Sequence, residues 1–393
     1  MTLAGDERLR MTVAEPGVTR LRFIDSLRGV AAMMVLCTHL LHSTVMDKPL
    51  HRILPDELTS LLSLGSKGVQ IFFVLSGFVI TLSLARLTFD RKVATTFALR
   101  RQIRLDPAYW VVLVATLIGL CMERLAGFTV SDPVPGVGNV LINVGYLQAL
   151  TGQNQIVKVA WTLAIEIQFY LFMLLLLAVA SARFIRRSAE RLPVAQLAML
   201  PLLLWLTGLS SLTWSIVGET HNNGLWAGRW AGPVWFYFCL GALCALAHLK
   251  RLRWTRPLAF SGVIAVSALL SPSGDRAGLL AGVLTAVVIG LCVHRPSAAR
   301  SLGAPRLLQY LGARSYSIYL VHTLVISPIL RAGYKLTADA PGWAVGWTLL
   351  GGATAMISAE ALYRWVERPS LAFSEQVKRV GASSAFTGLL RRA

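Results

Sequence analysis

The sequence has few charged residues, and acidic residues are the scarcest of them. Only 15% of its 393 residues are charged, and 19 Asp and Glu stand against 38 Lys and Arg. Hydrophobic residues make up 55% of the chain, and its mean hydropathy is +0.60. Soluble domains carry about 25% charged residues, so this composition excludes an ordinary soluble protein and indicates a polytopic membrane protein.

Cysteine is also scarce, with five residues that form no CxxC pair and no metal-ligand spacing. Each of the five falls within an apolar run, where a thiol packs as a small apolar group. We therefore expect no disulfide framework and no bound metal. The chain also lacks a fixed-period repeat and a low-complexity tract, which excludes solenoids and repeat arrays.

Ten apolar runs are long enough to cross a hydrocarbon core, which takes roughly 17 to 25 residues. With a cytoplasmic N-terminus, 28 of the 38 Lys and Arg fall in the inner connections, nine fall outside, and Arg28 lies within the first run. The positive-inside rule then predicts an all-α polytopic membrane protein, a bundle of about ten transmembrane helices with both termini cytoplasmic. The predicted spans lie at about 22–44, 65–86, 106–123, 161–182, 193–215, 230–249, 257–272, 276–294, 315–332 and 343–364.

This distribution explains most of the net charge of +19. Basic inner loops contact lipid headgroups, so we expect membrane lipid and no nucleic acid as a partner. Residues 1–20 lack a cleavable apolar region and are expected to form a cytoplasmic tail. Residues 21–369 form the predicted transmembrane domain, and residues 370–393 form a basic cytoplasmic C-terminal tail.

The first run, "DSLRGVAAMMVLCTHLLHS", carries Arg28 and His39. Eleven residues correspond to about three helical turns, so both side chains share one face about 16 Å apart. Ionisable groups at membrane depth cost a few kcal/mol unless they face a cavity, a pathway or a partner. The alternatives are that Arg28 anchors the helix at the interface and that His39 is a neutral packing residue.

Glu166 lies inside the apolar segment "AWTLAIEIQFYLF". A carboxylate there is expensive to bury without a partner. It can be the counter-ion of an arginine or histidine, part of a proton relay, or the group that orients a catalytic imidazole.

Two further segments offer binding groups. In "GVQIFFVLSGFVIT", Ser76 and Gly77 let another backbone, or a thin ligand chain, approach the helix closely. In "ALRRQIRLDPAYW", the guanidinium groups can hold phosphate or can simply mark the inner face. These arginines are Arg100, Arg101 and Arg104.

The late segment "LGARSYSIYLVHT" places Tyr319 and His322 one helical turn apart. Both can hydrogen-bond into the bundle. The alternatives are an interface tyrosine and a structural histidine.

Six motifs in order carry a resemblance to a known family: "IDSLRGVAAMMVLCTH", "FFVLSG", "RRQIRLDPAYW", "WTLAIEIQFY", "LGARSYSIYLVH" and "YRWVERPS". Over roughly residues 20 to 370, the chain resembles the acyltransferase-3 family of integral membrane O-acyltransferases. The resemblance implies transfer of an acyl group, most often acetyl, from cytoplasmic acyl-CoA to a hydroxyl of a glycan, lipid or small molecule. It implies acyl-CoA as a co-substrate and no permanently bound cofactor. Three positions, Ser26, Asp106 and Ile167, depart from the usual pattern.

The resemblance matches all the candidate residues except Arg100 to motifs of the family, and a physical mechanism gives each candidate a role. We expect His39 as the general base, Glu166 as the group that orients its imidazole, and Arg28 as the group that stabilises developing charge. The substrate-binding set is Arg100, Arg101, Arg104, Ser76, Gly77, Tyr319 and His322. A route through an acylated His39 uses the same residues.

The expected acceptor is an extracytoplasmic or lipid-linked glycan, and the expected location is the bacterial inner membrane. A secondary metabolite or a lipid is the alternative acceptor. The alternative function from another class of protein is a proton-coupled transporter or flippase, because these proteins also place Glu and His inside helices. The oligomeric state stays open.

Overall fold

The computed structural model describes residues 21–42, 45–85, 87–125, 134–188, 197–220, 230–270, 275–338 and 340–380. Within these ranges the chain is all-helical and contains no β-strand. The all-α prediction is confirmed for the described residues.

Seventeen α-helices and three short segments of tighter or wider helix make up the described ranges. The α-helices, in chain order, are α1 Arg22–Leu41, α2 Asp47–His51, α3 Asp56–Ser63, α4 Gly68–Leu84, α5 Arg91–Leu125, α6 Val137–Val144, α7 Gln148–Thr151, α8 Ala160–Ser188, α9 Met199–Thr220, α10 Trp235–His248, α11 Thr255–Leu270, α12 Arg276–His294, α13 Pro296–Gly303, α14 Arg306–Ala313, α15 Ser315–Thr337, α16 Pro341–Leu362 and α17 Arg368–Val380. The segments Leu64–Lys67 and Gly232–Val234 are 3₁₀-helical, and Tyr363–Glu367 is a π-helix.

Six of the described helical segments are long and apolar enough to cross a membrane, as an integral membrane protein requires. They are Arg22–Leu41, Asp56–Leu84, Arg91–Leu125, Ala160–Ala182, Met199–Val217 and Arg276–His294. Gly232–His248 and Thr255–Leu270 are shorter apolar helices. The count of ten spans and the cytoplasmic termini stay predictions. Residues 1–20 and 381–393 lie outside the described residues, and α17 crosses the predicted domain boundary at 369.

Two apolar clusters organise the bundle. The first is built mainly from α4, α8, α9, α10 and α12. The second is built mainly from α1, α5, α15, α16 and the start of α8. Helix α8 contributes to both clusters, so its polar residues lie near their boundary.

Glycines let α1 pack against its neighbours at backbone distance. A Cβ added to Gly29 would lie 2.9 Å from Gly312 N and from the Leu308 carbonyl, both on α14. On α4, a Cβ added to Gly68 would lie 3.0 Å from the Val35 side chain of α1. The rotation of α1 is therefore fixed around Arg28, the residue next to Gly29.

A reciprocal pair of glycines joins α4 to α10. Gly77 lies beneath the backbone of Phe238, and a Cβ there would lie 2.8 Å from the Phe238 Cα. Gly241 of α10 lies beneath the backbone of α4, where a Cβ would lie 2.8 Å from Phe78 N. Small residues at both faces of a crossing permit this approach. Of the two approaches expected for Gly77, the structure shows that of a backbone.

We predict that Gly77→Ala lowers the free energy of unfolding by about 1–3 kcal/mol, because the added methyl overlaps backbone that has little room to shift. The measurement is the thermal midpoint of the detergent-solubilised protein. Gly262→Ala on α11 is the matched control, since no atom of the described residues lies within 4 Å of its added Cβ. The control should be neutral or slightly stabilising, because alanine is the better helix former. Equal midpoints for Gly77→Ala and wild type would contradict the packing.

Candidate active site

A cavity of about 90 Å³ lies where the two apolar clusters meet, bordered by α1, α4, α5, α8 and α15. This volume has room for several water-sized groups. Six of the ten site residues predicted from the sequence line it, and each of the five helices provides at least one of them. These six are Arg28, Ser76, Arg101, Arg104, Glu166 and Tyr319.

Glu166 forms an ion pair with Arg101 inside the cavity. The Arg101 Nη2 donates to the Glu166 Oε1, and the two side chains are only 13% and 25% exposed. Since α5 supplies the arginine and α8 the glutamate, this pair also ties two walls of the cavity together. Glu166 is therefore the counter-ion of Arg101.

Arg28 and Arg104 also line the cavity. Among the residues that the structure describes, neither side chain is in a direct ion pair with a carboxylate. Guanidinium groups are pre-organised forks for carboxylate or phosphate oxygens. The cavity thus has two cations available for an anionic ligand.

Glu367 is a residue of this site to which the sequence reasoning assigned no role. It lies on the π-helix Tyr363–Glu367, is 2% exposed, and its Oε2 accepts a hydrogen bond of 2.6 Å from the Ser317 hydroxyl. Its charge acts on both Arg28 and Arg104. Single-turn π-helices occur frequently at functional sites. The sequence does contain a signal for this residue, because Glu367 is the acidic residue of "YRWVERPS". That motif contributed only to the family resemblance.

Tyr319 closes one end of the cavity. Its hydroxyl is hydrogen-bonded to the Thr162 hydroxyl of α8 at 2.9 Å, and its ring meets the edge of Phe72 at a centroid distance of 5.9 Å. The ring of His322 follows one turn later on α15, with its centroid 5.9 Å from that of Tyr319. A small aromatic and hydroxyl layer therefore separates the cavity from the histidine.

Beyond this layer, His39 and His322 form a pair. Their ring centroids are 4.8 Å apart at an interplanar angle of 71°. His322 is 1% exposed, whereas His39 is exposed at the Leu41 end of α1. The sequence placed these histidines on separate helices, and only the fold shows that they touch.

The backbone fixes the tautomer of both histidines. The Nδ1 of His39 lies 2.8 Å from the Val35 carbonyl, and the Nδ1 of His322 lies 2.8 Å from the Tyr319 carbonyl. A carbonyl only accepts, so each Nδ1 carries the proton and, in a neutral ring, each Nε2 is left as an acceptor. Glu166, which we expected to orient His39, is engaged by Arg101, and the Val35 carbonyl orients the imidazole.

Two of the other candidates lie outside the cavity lining. Arg100 turns toward α17, where its Nε donates to the Ser374 carbonyl at 3.0 Å and its Nη2 to Glu375 at 2.7 Å. Gly77 faces α10, as described above. Asp106, whose charge next to the arginines was a departure from the family pattern, accepts a hydrogen bond of 2.9 Å from the Tyr146 hydroxyl.

Residues 21–363 match the family described as an acyltransferase domain, the acyltransferase-3 family. Acyltransferase MdmB of Streptomyces mycarofaciens is 27% identical over 389 residues, which cover 91% of this chain and 93% of that protein. Peptidoglycan O-acetyltransferase OatA of Listeria monocytogenes is 26% identical over 368 residues, 88% of this chain and 55% of OatA. No solved structure matches the chain significantly.

A third relative is the exopolysaccharide production protein ExoZ of Rhizobium meliloti, 28% identical over 347 residues that cover 84% of this chain and 95% of ExoZ. The chain thus spans nearly all of MdmB and ExoZ and about half of OatA. MdmB and OatA are named for acyl transfer and not for transport, unlike the transporter alternative. The match across residues 21–363 shows that this chain belongs to the acyltransferase-3 family and is an acyl-transferring enzyme.

Proposed function

We propose that the chain is an acyl-CoA-dependent O-acetyltransferase of the bacterial cytoplasmic membrane, with His39 as the general base. Its acceptor would be a hydroxyl of an extracytoplasmic or lipid-linked glycan. One observation carries the proposal: a cavity with two arginines that have no direct carboxylate partner among the described residues ends one helical turn from a pair of touching histidines. One end of this short path would thus bind the anionic carrier, and the other end would supply the base.

The arginines would bind the phosphates of acyl-CoA. Three guanidinium groups, from Arg28, Arg101 and Arg104, line the cavity together with a single carboxylate, that of Glu166. Phosphate accepts paired hydrogen bonds from such forks, and these bonds are strong where water is scarce. A bound anion would also offset part of the cost of these arginines at membrane depth.

The pantetheine arm would then extend from the arginines toward His39. Arg28 and His39 are about 16 Å apart along α1, roughly the length of that arm. Ser76 would line its path, whereas Gly77 faces α10 and serves helix packing. Because the cavity holds only about 90 Å³, the Tyr319–Thr162 contact has to part before a thioester reaches the histidines.

The chemical step follows from the tautomer of His39. Its Nε2 would remove the proton of the acceptor hydroxyl while the oxygen attacks the thioester carbonyl carbon. The carbon–sulfur bond then breaks, and the leaving thiolate takes the proton back from the imidazolium. The Val35 carbonyl would stabilise that imidazolium through Nδ1–H, and His322 would supply a second uncharged acceptor beside it. In the two-step route, His39 Nε2 itself carries the acetyl group between donor and acceptor.

The proposed acceptor rests on the names of relatives. OatA is named for peptidoglycan and ExoZ for exopolysaccharide, both of which are glycans rich in hydroxyls. The test is transfer of labelled acetyl from acetyl-CoA by detergent-purified protein, with peptidoglycan fragments, exopolysaccharide repeat units and a hydroxylated small molecule offered in parallel. Transfer to the small molecule alone would overturn the glycan proposal.

We predict that His39→Ala abolishes acetyl transfer, a loss of at least about 100-fold, while binding of acetyl-CoA and the thermal midpoint stay near wild type. The measurements are the transfer assay and calorimetry with acetyl-CoA. His294→Ala is the matched control, because His294 is an exposed helical histidine whose Nδ1 bonds the Gly290 carbonyl at the same 2.8 Å. Normal turnover in His39→Ala would remove His39 as the base.

We predict that Arg104→Ala raises the KM for acetyl-CoA about 10-fold or more and changes kcat less, because contacts remote from the reacting carbon mainly supply binding. Steady-state kinetics at varied acetyl-CoA measures both constants. Arg300→Ala, on the exposed face of α13, controls for loss of one positive charge. A lower kcat at unchanged KM would place the phosphates elsewhere.

We predict that Glu166→Gln lowers the free energy of unfolding by about 3 kcal/mol, because the Arg101 guanidinium then stays buried without its counter-ion. The exposed Glu57→Gln should change it by less than about 0.5 kcal/mol. Replacing both partners, Arg101→Leu with Glu166→Leu, should recover much of the lost stability and leave acetyl-CoA binding weak. If Glu166→Gln and wild type have the same free energy of unfolding, the Arg101–Glu166 ion pair does not stabilise the fold.

A further inference from the structure

A second cluster of titratable side chains lies outside the cavity, beyond the Leu41 end of α1. It consists of His42, Asp47 and His51, whose ligand-capable atoms all lie within 4.8 Å of one another. His42 follows the last residue of α1, and the other two begin and end α2. The side chains of His42 and Asp47 are 40% and 44% exposed, so solvent reaches the cluster directly.

The hydrogen bonds around His42 show where its proton lies. The Ser63 hydroxyl donates to the Thr59 carbonyl at 2.6 Å, so its oxygen is left to accept from the His42 Nε2 at 2.7 Å. Nε2 therefore carries the proton, and Nδ1 of the neutral ring carries a lone pair and is an acceptor. This lone pair faces the Asp47 Oδ1 at 3.0 Å. Two acceptors at this distance leave a position for a cation between them, such as a metal ion.

The spacing fits a metal ion. Zn²⁺ bonds of about 2.0–2.1 Å in a tetrahedral site place neighbouring ligand atoms about 3.3 Å apart. The Asp47 Oδ1 lies 3.0 Å from the His42 Nδ1 and 3.6 Å from the His51 Nδ1, which brackets that value. The Ser63 hydroxyl supplies the hydrogen bond that a metal-binding histidine usually makes through its other ring nitrogen.

We propose that His42, Asp47 and His51 form a binding site for a divalent transition metal, with Zn²⁺ as the best fit and water at the exposed fourth position. Two imidazoles and one carboxylate are a common donor set for this ion, and hard cations such as Mg²⁺ prefer all-oxygen sites. His51 would move its proton from Nδ1, now 2.8 Å from the Asp47 carbonyl, to Nε2. The ion would fasten α2 to the end of α1, three residues beyond His39.

The site departs from the sequence-based expectation of no metal. The spacing His-x4-Asp-x3-His matches no common metal motif. Ser63, which hydrogen-bonds the His42 ring and is not a ligand, lies 21 residues after His42. The proposal is independent of the acyl-transfer mechanism, because its residues line no part of the cavity. Metal binding and transfer activity can therefore succeed or fail separately.

The experiment is metal titration of the full chain, purified in detergent without a polyhistidine tag and treated with a chelator. Calorimetry with Zn²⁺ should give one ion per chain, and Co²⁺ should give the visible absorption of a tetrahedral site. Asp47→Asn and His51→Ala should each weaken binding by about 100-fold or more, with thermal midpoints in chelator equal to wild type. His294→Ala, far from the cluster in sequence, should bind as wild type.

Ser63→Ala provides a second and gentler variant. It keeps all three ligands and removes the hydrogen bond that fixes the His42 ring, so Zn²⁺ binding should weaken by about 10-fold. Absence of stoichiometric binding to wild type would overturn the proposal and leave the His42–Asp47 contact as a hydrogen bond alone. Binding that survives Asp47→Asn and His51→Ala unchanged would overturn it as well.

Discussion

The cost of placing arginines inside an apolar bundle is the constraint on which this structure depends. Arg28, Arg101 and Arg104 come from two helices and converge on one cavity, where each charge would cost a few kcal/mol in hydrocarbon without compensation. Glu166 pairs directly with Arg101, and Glu367 acts on the other two from a buried position. Among the described residues, Arg28 and Arg104 are in no direct ion pair with a carboxylate.

Helix packing decides which side chains reach that cavity. Ser76 and Gly77 are neighbours on α4, yet Ser76 lines the cavity and Gly77 lies beneath the backbone of α10. Successive residues of a helix are rotated by about 100°, so a close approach on one face positions the next residue on another. The glycine contacts of α1 and α4 thus serve the site indirectly, because they set the rotation of the helices that carry its polar groups.

The histidine pair shows a second use of the helical backbone. The carbonyl groups of Val35 and Tyr319 accept the Nδ1 protons of His39 and His322, without any carboxylate. The same geometry occurs at His294, which does not line the cavity, so it is a local property of helical histidines. What distinguishes His39 is its contact with His322 at 4.8 Å and the layer of Tyr319 and Thr162 that separates both from the arginines.

The sequence by itself determined the helical class, the membrane setting, the family and six of the residues that line the cavity, because apolar run length, charge distribution and ordered motifs are local properties of the chain. Only the tertiary structure decided the partners. It assigned Glu166 to Arg101, brought His39 to His322, turned Arg100 toward α17, and placed Glu367 against Ser317. Each of these contacts joins helices far apart in the sequence. The relative rotation of such helices depends on how their whole faces pack together, which no local pattern specifies.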